Sequence, residues 1–362
     1  MPDWSEGTEW LRADGLASDV VLSSRVRFAR NLSGFPFMPR SSRSDRAEVL
    51  ELCRQRLTEP GFVEGSGGAR LSWVDLHRAS RLDRALLVER QLISKQHADG
   101  KLSTGIGGAD EPRGVAVSLP DERVGIMVNE EDHLRVQVIS SGLDLQGALE
   151  RIDGLDDRLE SHLDFAFSAR FGYLTACPTN VGTGIRLSVM MHLPALKLTG
   201  EIEKVKHAAE DMSLAVRGHH GEGSDANGDL YQLSNQTTLG KSEHVLLSEM
   251  QGEIVPQVIE YERRARTVLL ERRRAETEDS VMRALGVLRY ARLLQASEAM
   301  DLLSKVRLGV MLGLIPEVDQ TIVNTLWLHS EPAHLQRVLG HEMNQRDRRA
   351  ARAELVRTRL AL

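Results

Sequence analysis

A chain of 362 residues, 41% of them hydrophobic, can bury a large core and is long enough for two domains. Its 46 basic and 52 acidic side chains leave a net charge of −6, which excludes the bulk positive field that draws nucleic acid or an anionic membrane. No apolar run has the length of a bilayer span and the start MPDWSEGTEW is not a secretory signal, which points to the cytoplasm.

The first strand signal is SSRVRFAR, residues 23–30. Strand alternation puts Arg25 and Arg27 on one side and Val26 and Phe28 on the other, so two guanidiniums project together. Such a pair is stable where an anion lies between the cations or where carboxylates interleave as a structural salt bridge. Glycine-rich bends follow at 65–68 (GSGG) and 105–108 (GIGG). RVGIMVNEEDHLRVQVIS reads as two strands, carrying Val124, Ile126 and Val128, then Leu134, Val136 and Val138. The acidic turn from Asn129 to His133 joins them, and Arg135 projects away from the apolar face. A surface turn can be acidic for solubility alone, so the cluster gains meaning only beside other charged faces.

CPTNVGTGIRLSVMMHLPAL, residues 177–196, sets a cysteine and a glycine-broken turn before an arginine on an apolar strand. Leu187, Val189, Met191 and Leu193 share one face, while Arg186, Ser188, Met190 and His192 share the other, which reads as the wall of a polar site. The bland reading is an arginine snorkelling from a strand end. Cys53 and Cys177 have no metal-ligand spacing, and neither a disulfide scaffold nor a zinc site is expected. RGHHGEGSDANGD, residues 217–229, is a polar loop with Arg217, two histidines and Glu222; it has the length of a functional lid or a disordered connection.

Beyond about residue 250 the pattern becomes helical. Val281, Leu285 and Leu288 fall on one stripe, as do Leu303, Val306 and Val310, and Gly313 followed by Pro316 is a stop. The expected organisation is α+β over residues 1–250 and all-α over 251–362. Arginine runs such as ERRRAE at 271–276 read as solvated helix faces.

The polar strand faces thus offer Arg25, Arg27, Arg135, Arg186 and Arg217 against Glu131 and Glu222. No GxxxxGK[ST] loop and no kinase-type GxGxxG with a downstream HRD is present. A cage of guanidinium forks is the other physical means of holding a triphosphate, because each can bond two oxygens and none loses its charge at accessible pH. Two carboxylates match an acceptor that is itself a guanidinium.

With these residues in hand, the chain resembles the phosphagen (guanidino) kinases and, within them, the bacterial protein-arginine kinases. The motifs are SSRVR at 23–27, NEEDHLR at 129–135, CPTNVGTGIRLSV at 177–189, RGHHGE at 217–222 and SNQTTLG at 234–240. The resemblance implies a catalytic domain with a central antiparallel sheet flanked by helices, followed by a helical domain that dimerises or regulates. It implies an ATP- and Mg²⁺-dependent transfer to arginine side chains of proteins, as part of protein quality control in the stress response. Arg25, Arg27, Arg135, Arg186 and Arg217 would clamp the phosphates, with Ser24, Gln91, Ser188 and His219 completing the nucleotide site. Glu131 and Glu222 would orient the guanidinium, Glu131 as general base, and Cys177 would lie against it. The implied partners are proteins with exposed arginines, an activator protein, a Clp-type unfoldase and a second copy of the chain, with no nucleic acid.

Two departures stand out. Where the family has a histidine in a segment like VEKHLIS, this chain has Gln91 in VERQLIS. The regulatory RDxxRA motif near the C-terminus is altered in QRDRRAARAEL, which supplies Arg346 and Asp347 but Ala350 in place of the second arginine, leaving Arg352 as its offset counterpart. Two rivals remain: a kinase of free guanidino compounds, disfavoured because SSRVR already begins at residue 23, and a catalytically silent adaptor for phosphoarginine proteins, disfavoured by Glu131 and Glu222.

Overall fold

The structure, a computed structural model, describes residues 8–59, 62, 70–101, 108–212, 214–218, 227–236 and 238–361. The bend at 65–68 and most of the one at 105–108 lie outside them. In chain order the elements begin with β1 (Val21–Arg30), α1 (Arg43–Leu57), β2 (Arg70–Asp75), α2 (Arg81–Glu89), α3 (Lys95–Asp99), β3 (Gly114–Leu119), β4 (Val124–Val128), β5 (Leu134–Ser141) and α4 (Leu145–Glu160). A short ribbon of β6 (Phe167–Ser168) and β7 (Gly172–Tyr173) precedes β8 (Ile185–His192), α5 (Pro194–Thr199), α6 (Ile202–Asp211), β9 (Leu214–Gly218), β10 (Leu230–Asn235) and α7 (Glu243–Leu247). A π-helical stretch, Ser248–Ile254, leads into α8 (Val255–Arg272), followed by α9 (Arg274–Tyr290), α10 (Ala296–Met311), α11 (Gln320–His329), α12 (Pro332–Leu339) and α13 (Gln345–Leu360).

Eight strands form one antiparallel sheet in the order β2-β3-β4-β5-β1-β8-β10-β9. Alternation decides its two faces. Val26, Phe28, Val136, Val138, Leu187 and Val189 are fully buried in the larger core, where Leu145, Ala148, Ile152 and Leu159 of α4 cover them. Polar side chains start the helices: the Ser42 hydroxyl caps α1 in a box with Asp45, Ser80 caps α2, Ser94 caps α3 and Asp144 caps α4.

The opposite sheet face is divided. One end carries the arginines. At the other end Leu22, Ile139, Met190 and Leu230 join a second core with Val281, Leu288, Leu303, Val306 and Trp327 of the helical region. The change of core does not fall at residue 250. Ile254, Val255, Val258, Ile259 and Leu269 pack into the first core, and the helical run breaks only at Arg273, where φ is −138° and ψ 36°. The stripe read from Val281, Leu285 and Leu288 is buried as expected, and α10 ends at Met311, ahead of Gly313.

Candidate active site

Directly opposed residues of an antiparallel pair share a face, so the register assembles the site from distant parts of the chain. Arg27 of β1 stands opposite Arg186 of β8 and Gln137 of β5. Arg25 stands opposite Ser188, and Arg135 opposite the small Ala29. On the far side of β8, Gln232 of β10 faces Arg217 of β9. Arg25, Arg27, Arg135 and Arg217 line one cleft together with Gln91, Ser94, Lys95, Gln137 and Gln232. Arg186 adjoins it across the ladder from Arg27.

Polar side chains of the neighbouring strands meet two of these guanidiniums. Arg25 Nη2 donates to Gln232 Oε1 at 3.0 Å, and Arg186 Nη2 lies 3.5 Å from Ser234 Oγ. Burial, then Arg135 and Arg186, bring Arg25 down to about 10. Burial and the same guanidiniums, with Arg25 added, push Arg27 well down, and its buried Nε has no hydrogen-bond partner. Arg135 has a close carboxylate, Glu130 Oε2 at 2.7 Å, which holds its pKa above the ordinary range. Guanidinium forks that converge on one cleft form a receptor for a multivalent anion.

The acidic turn sits at the end of this cleft. Asn129 adopts φ 61°, a left-handed conformation that asparagine tolerates, and its amide nitrogen donates to Arg46 O and Pro112 O. Glu130 is buried, accepts from Ser94 Oγ at 2.6 Å and from the Glu131 amide at 2.8 Å, and thereby ties the turn to the segment before α3. Asp132 Oδ1 accepts from Asn31 Nδ2 at 2.6 Å and from the Ala176 amide at 2.7 Å. Its carboxylate therefore staples the turn to the segment that carries Cys177. Glu131, between these anchors, is partly exposed and lies 3.9 Å from Arg135. Burial pushes its pKa up, with Glu130 and Asp132 adding to the rise and Arg135 opposing it. A carboxylate shifted in that direction is suited to taking a proton near neutral pH.

Residues 61–265 match the family model of the ATP:guanido phosphotransferase C-terminal catalytic domain. Residues 274–362 match that of the protein-arginine kinase McsB C-terminal domain. The protein-arginine kinase of Symbiobacterium thermophilum is 45% identical over 98% of this chain and 97% of its own length. That of Halothermothrix orenii is 42% identical over 98% and 96%. The chain belongs to the protein-arginine kinases. The fold is similar to that of a lombricine kinase, with a TM-score of 0.55 and 24% identity over 72% of each chain.

Set on this protein-arginine kinase, several sequence expectations change. Ser24 does not line the cleft: it is fully buried, its hydroxyl donates to Gly142 O and accepts from the Asp144 amide, and both functions are spent on the turn into α4. Ser188 lies on the arginine face, 3.5 Å from Arg25 Nε. His192 is not a cleft residue either; it is buried between Ser304 Oγ at 2.9 Å and Arg307 Nη1 at 2.8 Å of the helical region. Gln91 lines the cleft with φ 61°, and its carbonyl accepts from Gln137 Nε2. Cys177 is partly exposed, with Sγ 3.0 Å from Thr179 Oγ1. His219 and Glu222 lie outside the described residues.

Arg346, Asp347 and Arg352 all lie on α13. Asn344 caps α13, its Oδ1 accepting from the Asp347 amide and its Nδ2 donating to the Asp347 carboxylate; Arg346 is exposed, and Arg352 is buried with Nε on Ser330 O and Nη1 on Leu294 O. These two bonds stitch α13 to the end of α11 and to the segment before α10, leaving the guanidinium's Nη2 donors outside them. The residues that sequence reasoning passes over are Glu130, Asp132, Gln137 and Gln232. Strand parity with Arg135 points to Gln137, whereas the roles of Glu130 and Asp132 depend on Ser94, Asn31 and Ala176, which no local spacing connects to the turn.

Proposed function

We propose that the chain transfers the γ-phosphoryl group of ATP to the guanidinium of arginine side chains in proteins, with Glu131 as general base. The observation that supports this most directly is the face shared by Arg25, Arg27, Arg135, Arg186 and Arg217 beside the Glu130–Asp132 turn. The arginine forks would hold the triphosphate and neutralise charge on the transferred group. Glu131 would orient the acceptor and take one proton from its attacking nitrogen as the P–N bond forms and the bond to the β–γ bridging oxygen breaks. Glu222 would be the second carboxylate on the acceptor and Cys177 its lateral contact. Among the described residues no group of three or more His, Cys, Asp or Glu side chains is placed to hold a metal ion. Mg²⁺ would accompany the phosphates and supply charge neutralisation there.

Marking of proteins for degradation, an activator protein, a Clp-type unfoldase, a homodimer and a cytoplasmic location are parts of the same reading, supported by the resemblance of the motifs. No helix of the described residues is long and apolar enough to cross a membrane. The test is incubation with MgATP and an unfolded casein-like protein, followed by mass spectrometry under non-acidic conditions because the P–N bond is acid-labile. Label on protein arginines supports the reading. Label only on free arginine run in parallel would replace it with a small-guanidine kinase, and label on neither would leave an adaptor.

A further inference from the structure

The cleft is lined on one side by Val88, Gln91, Ile93, Ser94 and Lys95, and the segment that carries them is fastened to the helical domain at Glu89 and Arg90. Glu89, the last residue of α2, sends its carboxylate to the start of α12. Glu89 Oε1 accepts from the Ala333 amide and Oε2 from the His334 amide, each at 2.8 Å. His334 Nδ1 lies 3.0 Å from Glu89 Oε2, while its Nε2 lies 2.9 Å from Arg90 Nη1. Arg90 can only donate, so Nε2 accepts and Nδ1 carries the proton that goes to Glu89. Burial, then Arg90, push His334 down to about 2, which keeps the ring neutral and this tautomer in place. Arg90 Nε in turn donates to Glu122 at 2.8 Å. The side chains of Glu89, Arg90, Glu122 and His334 are all at least nine-tenths buried.

The next residues are those of the cleft. Gln91 takes its left-handed φ immediately after this clasp, a conformation that costs a non-glycine residue about 1 kcal/mol or more and persists only where neighbours impose it. Three residues on, Ser94 holds Glu130, and Glu130 holds Arg135. Hydrogen bonds at the two ends of this segment, joined by the backbone of residues 90–94, therefore link the first turn of α12 to Arg135.

We propose that Glu89 is a positioning residue for phosphoryl transfer, making the first turn of α12 part of the scaffold that holds residues 91–95 against the nucleotide. This rests on the reading of the arginine cleft as the ATP site. Glu89 and His334 touch no reacting group; they act through Gln91 and Ser94.

The test uses the full chain, with initial rates on unfolded casein at varied MgATP and melting followed by circular dichroism. Glu89→Gln keeps the shape but turns one of the two accepting oxygens into an amide NH2 facing an N–H donor, and His334→Phe removes both ring nitrogens from within the helical domain. Each is expected to raise KM for ATP and lower kcat/KM by roughly tenfold or more, since an error of about 1 Å in a supporting segment can cost up to ~10². Asp83→Asn, which weakens the neighbouring ion pair to Arg337 between α2 and α12, is expected to leave KM unchanged. Should Glu89→Gln fail to fold, His334→Phe carries the test alone. Wild-type KM in both folded variants, or a loss of rate that follows only the folded fraction with KM unchanged, would overturn the proposal. Absence of arginine labelling by the wild-type protein would instead count against the assigned activity.

Discussion

Arg27 and Arg186 stand directly opposite each other across the β1–β8 ladder, two guanidiniums on one face of the sheet. Like charges in that relation repel, by roughly 0.2–1 kcal/mol on exposed sheets and more where burial thins the solvent. The ligand-free protein therefore holds this pair against an opposing force, which a bound phosphate would relieve in the proposed function. Arg27→Met should raise the melting temperature of the ligand-free protein and abolish the further rise on adding MgATP. A variant that melts lower and keeps the nucleotide-induced rise would show that Arg27 is a structural residue.

Glu131 is held between Glu130 and Asp132 but is itself committed to no short hydrogen bond with another side chain. Glu131→Gln should reduce transfer by roughly 10²–10⁴ if the carboxylate takes the proton. Nucleotide binding, measured by calorimetry, should change little, because the variant keeps the size of the side chain and the arginines are untouched. Wild-type turnover would remove Glu131 from the chemistry.

Glu130 gives a pH dependence with a definite sign. Burial pushes it up, but Arg135, His97, Ser94 and the Glu131 amide outweigh burial and hold it at about 2, against an ordinary 4.5. A carboxyl depressed in the folded state adds stability above its unfolded pKa, and that addition disappears as pH falls from 4.5 toward 2. Glu130→Gln should thus be far less stable than the parent at pH 7, by roughly 3–5 kcal/mol because Arg135 is left buried without its partner. The gap should narrow in urea titrations run from pH 4.5 downward. A gap independent of pH would mean that the Glu130–Arg135 pair is not what the substitution breaks.

Arg352 makes a prediction of a different kind. Arg352→Ala leaves the carbonyls of Ser330 and Leu294 without this donor, so about 2 kcal/mol or more of stability should be lost in denaturant titration. KM for ATP should stay near its parental value in the fraction that is folded. Undiminished stability would return Arg352 to the set of candidate ligand-binding residues.

Alternation made the centre of the sheet legible, because Val26, Phe28, Val136, Val138, Leu187 and Val189 bury one face and leave only the other for the arginines. It could not say what lies over that second face. Arg186 and His192 have the same parity on β8, yet one adjoins the cleft and the other is sealed by Ser304 and Arg307. Ser24, next to Arg25 in the same motif, points the other way and serves a turn. The boundary near residue 250 follows the change from strand to helix, but an apolar helical stripe does not say which core it joins, and α8 joins the first. Glu89 and His334, 245 residues apart, had no signal in common until α2 met α12.

Strands β1, β5 and β8, which carry Arg25, Arg27, Arg135 and Arg186, also carry, a few residues along, Leu22, Ile139 and Met190, which with Leu230 of β10 make the oily seat of the helical bundle. Cutting the chain after Arg273 would uncover that seat to water. Such a fragment should self-associate or precipitate, its insolubility rising with temperature as apolar contacts strengthen, so the nucleotide site of this enzyme is best studied in the uncut molecule.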